Sequence, residues 1–306
     1  MENKIKKILI LVDKIGEKKE LFTQYIAERL GESAHITLAR FSDIYFEIDD
    51  KNILVEVNGE DVTEYDLVYF RRAGDKFSGT ASTLAVYLKA KGINFIDKSW
   101  AEVGPIGSKF TALMKLSLNN LPIIKSIYVW REEIGNNKSR IIKSLGLPLI
   151  AKELSTQRGK GVHKISNESD FDKLPMTDLN GGTNQYLFQK YVELKDEYRL
   201  LVLGNNVGVW EKKIISVEGE FRHNVSLGAT EEFLKIGDIP EELEEIAVKG
   251  SNALNVQIAG VDIATDKNTG EYYLIEINRG PGFTYDTTIS PEMDQLAKYL
   301  KKESGI

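Results

Sequence analysis

The apolar residues of this chain change their spacing in an orderly way. Residues 5–12 form a compact apolar run that reads as a buried strand, residues 17–30 repeat at helical spacing up to Gly31, and residues 35–41 are strand-like again. Residues 53–62 hold an Asn58-Gly59 turn between short alternating runs. Residues 66–70 give another strand, and a helix over 79–91 ends at Gly92 before a strand at 93–96. Strand and helix thus alternate, which predicts an α/β domain with a largely parallel sheet over residues 1–100.

The pattern then loosens. Helical spacing runs through 99–120, broken at Gly104-Pro105, with Lys109 early in its second part. Strands follow at 123–129, 147–154 and 186–192, with a helix over 138–145. Residues 101–190 are expected to form a central lobe. Within it Lys152 shares a strand face with Ile150 and Leu154. The loop STQRGKGV at 155–162 sets Gly159 and Gly161 about Lys160, so backbone amides there can approach a phosphate with no Cβ in the way. Taken alone, Lys152 also fits a strand-edge lysine that snorkels, and the loop also fits a plain hairpin turn. Residues 191–306 make the last lobe. It begins with a hairpin of 198–203 and 206–210, then Lys212-Lys213 and an extended GEFRHN at 219–224 holding Arg222 and Asn224. A helix over 240–254, a second hairpin and a closing helix over 291–303 complete it.

That second hairpin, 261–266 and 271–278, carries the most chemistry. A three-residue loop, Asn268-Thr269-Gly270, closed by Lys267 and Glu271, places Ile263 opposite Ile275 and Asp262 opposite Glu276. Period two then sorts Val261, Ile263, Ile275 and Ile277 onto one face and Asp262, Leu274, Glu276 and Asn278 onto the other. Carboxylates opposed across a ladder repel. Either the acids face water at a solvated edge, or they hold a divalent cation, since magnesium takes oxygen ligands from one or two carboxylates plus phosphates and water.

Composition narrows the chemistry. The formal charge is −6 and the pI about 5.4, with no basic tail, which argues against nucleic acid as partner. Cysteine is absent, excluding disulfides, thiolate zinc sites and cysteine nucleophiles. The apolar run at 8–12 is too short for a signal core or a membrane span, so a cytoplasmic protein without membrane partners is expected. The first strand is followed by no G-x-G-x-x-G, the lysine loop is no P-loop, and no G-x-S-x-G elbow occurs. His35, His163 and His223 share no metal-ligand spacing. Arg71 and Arg72 follow a strand end, where they are either a solvated rim or a carboxylate fork.

Several motifs in order carry a resemblance: FRRAG at 70–74, Lys109, Lys152 before the G-x-G-V loop, QKYV at 189–192, EYRLLVLG at 197–204, GEFRHN, and GVDI with EIN at 260–263 and 276–278. Together they resemble the ATP-grasp superfamily over nearly the whole chain, and within it the RimK-type carboxylate-amine ligases. The resemblance implies an ATP-grasp fold, α/β with α+β lobes, behind an N-terminal Rossmann-like pre-ATP-grasp domain. It implies ATP and two magnesium ions as cofactors, with manganese as a substitute. Lys109, Lys152, Thr156, Gly159, Lys160, Gly161 and Lys212 would meet the phosphates. Gln189, Lys190, Tyr191 and Val192 would line the adenine pocket, with Glu197 at the ribose and Leu274 against the base. Asp262, Glu276 and Asn278 would hold the metal, and Arg199, Arg222 and Asn224 the transferring phosphoryl group or acyl phosphate.

The sequence departs from the family pattern at three places. Lys212-Lys213 replace paired arginines, the loop is more basic than GTQGIGV, and NRGPG replaces N-A-S-P-G, which places Arg279 beside the metal site. Arg72 and Arg279 are the expected substrate contacts. The implied reaction activates a carboxylate as an acyl phosphate for attack by an amine of an amino acid, peptide or protein tail. The alternatives are a graspetide-type ligase that cyclises a precursor peptide, and a nucleotide-binding regulator without turnover. A homo-oligomer, dimer or tetramer, is compatible with the sequence.

Overall fold

The computed structural model describes residues 5–48, 53–74, 77–102, 109–128, 131, 134–154, 161–177, 184–214 and 230–306. Its first unit alternates β1 (Lys6–Val12), α1 (Glu17–Leu30), β2 (Ala34–Arg40), β3 (Ile44–Ile48), β4 (Ile53–Val57), β5 (Glu60–Asp61), β6 (Leu67–Arg72), α2 (Ser78–Lys91) and β7 (Phe95–Ile96). Strands β2, β1, β6 and β7 lie side by side in that order and pair in parallel. The alternation of apolar runs with amphipathic helices leaves this sheet covered on both faces. Phe22 and Ile26 of α1 pack on one face, and Ala81, Leu84 and Leu88 of α2 on the other. Asn58 and Gly59 have φ of 53° and 82°, the left-handed pair that a two-residue hairpin turn needs, and β3, β4 and β5 form a separate antiparallel sheet around them. That small sheet's first strand, β3, is not evident from the apolar pattern.

The second unit comprises α3 (Lys109–Leu118), β8 (Ser126–Tyr128), α4 (Ile134–Leu145), β9 (Leu149–Glu153), β10 (Val162–Ile165) and β11 (Tyr186–Lys190). Its sheet runs β10, β9, β11, β8, antiparallel throughout. Tyr186 and Phe188 point to the α4 side with Ile141 and Leu145. By alternation Leu187 and Gln189 face the other way, level with Lys152 and Ile150.

The third unit comprises β12 (Leu194–Leu203), β13 (Asn206–Ile214), β14 (Thr230–Leu234), α5 (Glu241–Ala253), β15 (Ile258–Asp266), β16 (Tyr272–Asn278) and α6 (Glu292–Glu303). Its five-stranded sheet runs β14, β13, β12, β15, β16. One face buries Leu200, Val202, Val261 and Ile263 beneath α5. The other is apolar only at one end, where Leu201, Leu203, Val209 and Ile258 meet α6 and the first sheet in a shared core. Among the described residues no helix is long and apolar enough to cross a membrane.

Candidate active site

The remainder of that second face is charged, and pairing explains why. Glu197 lies opposite Lys213, Arg199 opposite both Glu211 and Asp262, Asp262 opposite Glu276, and Lys213 opposite Glu231. Directly opposed residues share a face, so these side chains and Asn278, two beyond Glu276, converge on one patch.

Asp262 is its centre. Arg199 donates to both of its oxygens, Nε to Oδ1 at 2.9 Å and Nη2 to Oδ2 at 3.1 Å. Lys213 lies 3.0 Å from Oδ1 and also pairs with Glu197, and Asn278 Nδ2 donates to Oδ2 at 3.2 Å. Burial by itself would raise the Asp262 carboxyl, but Lys213 and Arg199 more than offset it, and it is held below the usual range. Lys213 suffers from burial too, yet Asp262 and Glu197 keep its ammonium above its ordinary value. Burial pushes Glu197 up to about 7 against the pull of Lys213. An ionised, buried aspartate beside a second carboxylate and an amide offers hard oxygen donors, a set that fits magnesium. Among the described residues no cluster of three or more His, Cys, Asp and Glu has metal-holding geometry. Magnesium does not need one, because phosphates and water complete its shell.

The second unit adds cations. Lys152 projects from β9, and burial lowers its ammonium while Lys109, at the start of α3, lowers it further; Glu276 and Glu197 pull the other way. Lys109, Glu276 and Glu197 therefore all lie within electrostatic reach of Lys152. Gln189 is buried, donates through Nε2 to Ser126 Oγ at 2.8 Å, and leaves Oε1 without a donor. Lys190 is exposed, and its backbone N–H is taken by the Lys125 carbonyl at 2.9 Å. Tyr191 carries the Lys164 ammonium 4.4 Å over its ring, and Val192 is half-buried. Gly161, with φ 73°, starts the return of the loop and accepts from Glu153 N at 2.8 Å. Thr156, Gly159, Lys160, Arg222 and Asn224 lie outside the described residues.

Three expectations require correction. Leu274 is not on the acid face. It pairs with Ile263, and a bulge between Asp262 and Ile263 leaves Ile275 as the extra residue. The loop is one residue longer than expected, because Asp266 accepts from the backbone of Asn268 at 2.7 Å and Thr269 at 3.1 Å, closing the turn at Glu271. Leu274 is 3 % exposed in the core under α5, where a Cβ on Gly250 would lie 2.7 Å from its Cδ1. Leu274→Ala should therefore cost about 2–5 kcal/mol of stability and leave nucleotide affinity of the folded protein unchanged; thermal melts alongside titration with ATP check both.

The second correction concerns the lysine pair. Lys212 points off the patch to Asp196 at 2.6 Å, and Lys213 is the one inside. The third concerns Arg279. Its guanidinium lies 5.0 Å from the Trp100 ring centroid, and Nη1 donates to Ser99 Oγ at 3.4 Å, so it is turned to the segment after β7 rather than to Asp262. Arg72 is exposed at the end of β6.

Glu211 was missed, although strand alternation from Lys213 marks it. It is 3 % exposed, 3.9 Å from Arg199 Nε, and Oε1 has no donor. Burial first, then Glu231 and Glu292, push it up to about 8 from 4.5. A carboxyl raised in the folded state stays protonated while the unfolded chain ionises, so its stabilisation is whole below pH 4.5 and lost by about pH 8. Glu211→Gln should flatten the decline in melting temperature across that window.

A cavity of about 670 Å³ lies elsewhere, at the amino ends of β1 and β6 beside Lys7, Tyr65 and Asn94, and gathers none of this chemistry. Residues 107–299 match the family described as the RimK-like ATP-grasp domain. The coenzyme gamma-F420-2:alpha-L-glutamate ligase of Methanococcus maripaludis is 29% identical, over 63% of this chain and 67% of its own length. Human beta-citrylglutamate synthase B is 24% identical over 87% of this chain and 68% of its own. In fold, the chain is similar to the ATP-grasp ligase PsnB, solved with a phosphomimetic variant of its minimal precursor, Mg and ADP. That match has a TM-score of 0.71 at 16% identity and covers 98% of this chain and 99% of PsnB.

Proposed function

Because the chain belongs to the RimK-like ATP-grasp family, we propose that it is an ATP- and magnesium-dependent ligase joining a carboxylate to the amine of an amino acid or peptide. The observation that carries this is Asp262, kept ionised by Arg199 and Lys213, directly opposite Glu276 and bonded to Asn278. Magnesium bound by those three residues would neutralise the charge on the transferring phosphoryl group. The γ-phosphoryl group passes to the substrate carboxylate, releasing ADP and forming an acyl phosphate; the amine attacks its carbonyl, and phosphate leaves as the amide forms.

Protein side chains need only hold and neutralise. Lys152 and Lys109 suit the α- and β-phosphates, and the unpartnered Gln189 Oε1 suits the exocyclic amine of adenine. Arg199, with Arg222 and Asn224 from the sequence, suits the transferring group. Lys152→Ala removes a charge-assisted contact of about 1.5–3 kcal/mol, so ATP affinity should fall about ten- to a hundredfold. Direct titration with magnesium ATP measures it, and unaltered affinity would remove Lys152 from the phosphate site.

The likeness to PsnB over nearly its full length favours one second reading, a peptide-cyclising ligase. Co-expression with candidate peptides and mass spectrometry separates the two. An added residue mass means ligation, and loss of water from one chain means cyclisation.

A further inference from the structure

The carboxyl ends of β1 and β6 carry charge that the reaction above does not use. Leu11 pairs with Phe70 and Val12 with Arg72, so Arg71 is the extra residue of a bulge. It lies at 4 % exposure against the stacked rings of Phe22 and Phe283, 5.1 and 4.7 Å from their centroids. Nη2 donates to the Pro281 carbonyl at 2.8 Å and the Tyr285 hydroxyl lies within hydrogen-bonding reach of the guanidinium, while Nε and Nη1 are buried and make no well-aligned hydrogen bond. A buried charged donor left without a partner is costly, and a bound anion is what would satisfy it.

Two more cations flank it. Lys19, in α1, is lowered to about 8 by burial and then by Arg71 and Arg72, with Asp13 opposing them. Arg72 is exposed beside it. Glu17 and Glu20 are the acids in the first turn of α1. The carboxyl ends of parallel strands next to a helix N-terminus are where open α/β sheets take ligands. The place is also close to the metal hairpin. A Cβ on Gly280 would lie 3.1 Å from the Arg71 carbonyl oxygen and 3.5 Å from Nη1, and Asn278 is two residues earlier, at most about 7 Å of chain.

Resting on the ligase assignment, we propose that Arg71, with Arg72 and Lys19 beside it, binds a substrate carboxylate that stays unreacted while the reacting end of that substrate is presented at Asp262, Glu276 and Asn278. Planar N–H groups match a carboxylate. The substrate class is an amino acid or short peptide carrying a carboxylate besides its reacting group.

The test is ADP release with magnesium ATP against the free amino acids and short acidic peptides, each also as its primary amide. The expected result is that one acid, free or peptidic, drives release and its amide does so at least tenfold less well. Arg71→Lys and Arg72→Gln should each raise KM for that acid at least fivefold at unchanged KM for ATP. An amide as effective as its acid, an unchanged KM in both variants, or no active acid while ATP binds would overturn the proposal. Failure of the wild type to bind magnesium ATP would instead overturn the ligase assignment. Should Arg71→Lys not fold, Arg72→Gln and Lys19→Gln decide.

Discussion

Asp262→Asn is expected to reduce substrate-dependent ADP release by about a thousandfold, because metal neutralisation of a transferring phosphoryl group is worth several kcal/mol and each 1.4 kcal/mol is about a decade in rate. The same change should destabilise the fold. Asp262 is 4 % exposed and accepts from Arg199 and Lys213, so an amide leaves both cations short of a counter-charge, at about 3 kcal/mol. Activity and folding are thus tangled at this position. Glu276→Gln separates them: Glu276 is only half-buried, faces Asp262 and Lys152, and its amide should lose turnover to a similar degree with the melting temperature retained. Turnover in Glu276→Gln at the wild-type rate would remove Glu276 from the metal site.

Lys213→Met should lower stability by about 3–5 kcal/mol, since Glu197 and Asp262 would remain buried without their ammonium. Glu197 already sits near 7. Without Lys213, which holds it down, Glu197 takes up a proton at a higher pH in the variant than in the wild type, so the deficit should shrink as pH falls toward 7 and level off below it. Lys212→Met is the control. Its partner Asp196 is at a surface pair with side chains 35% and 17% exposed, worth about 1 kcal/mol or less. Urea unfolding of the two variants measures both values, and equal losses would contradict the assignment of Lys213 to the site.

How far the sequence could be read follows from these residues. Periodicity located α1 and the parallel strands because each buries an apolar face that only one period satisfies. The opposition of Asp262 and Glu276 was legible for a less secure reason. A loop one residue too short and an unforeseen bulge cancel at the acids, so only the stretch between them, with Leu274, is misplaced. Bulges depend on side-chain capping of the turn, here by Asp266, which hydrophobic patterning does not register. Family resemblance points to Lys212, whereas alternation from Arg199 through its partner Glu211 puts Lys213 on the acid face. Arg71 and Arg279 are different. Each finds its surroundings in another unit of the chain, Pro281 and Phe283 for one, Ser99 and Trp100 for the other, and no local spacing reports such contacts.

The central claim is that magnesium ATP is spent on making an amide at the patch around Asp262. Its most direct test is to incubate the wild-type chain and Glu276→Gln with magnesium ATP and the acid and peptide panel, measuring ADP and product mass in the same reactions. The account predicts ADP and an amide product in equal amounts from the wild type and neither from the variant. ADP without a new amide across the panel, or equal product from both proteins, would contradict it.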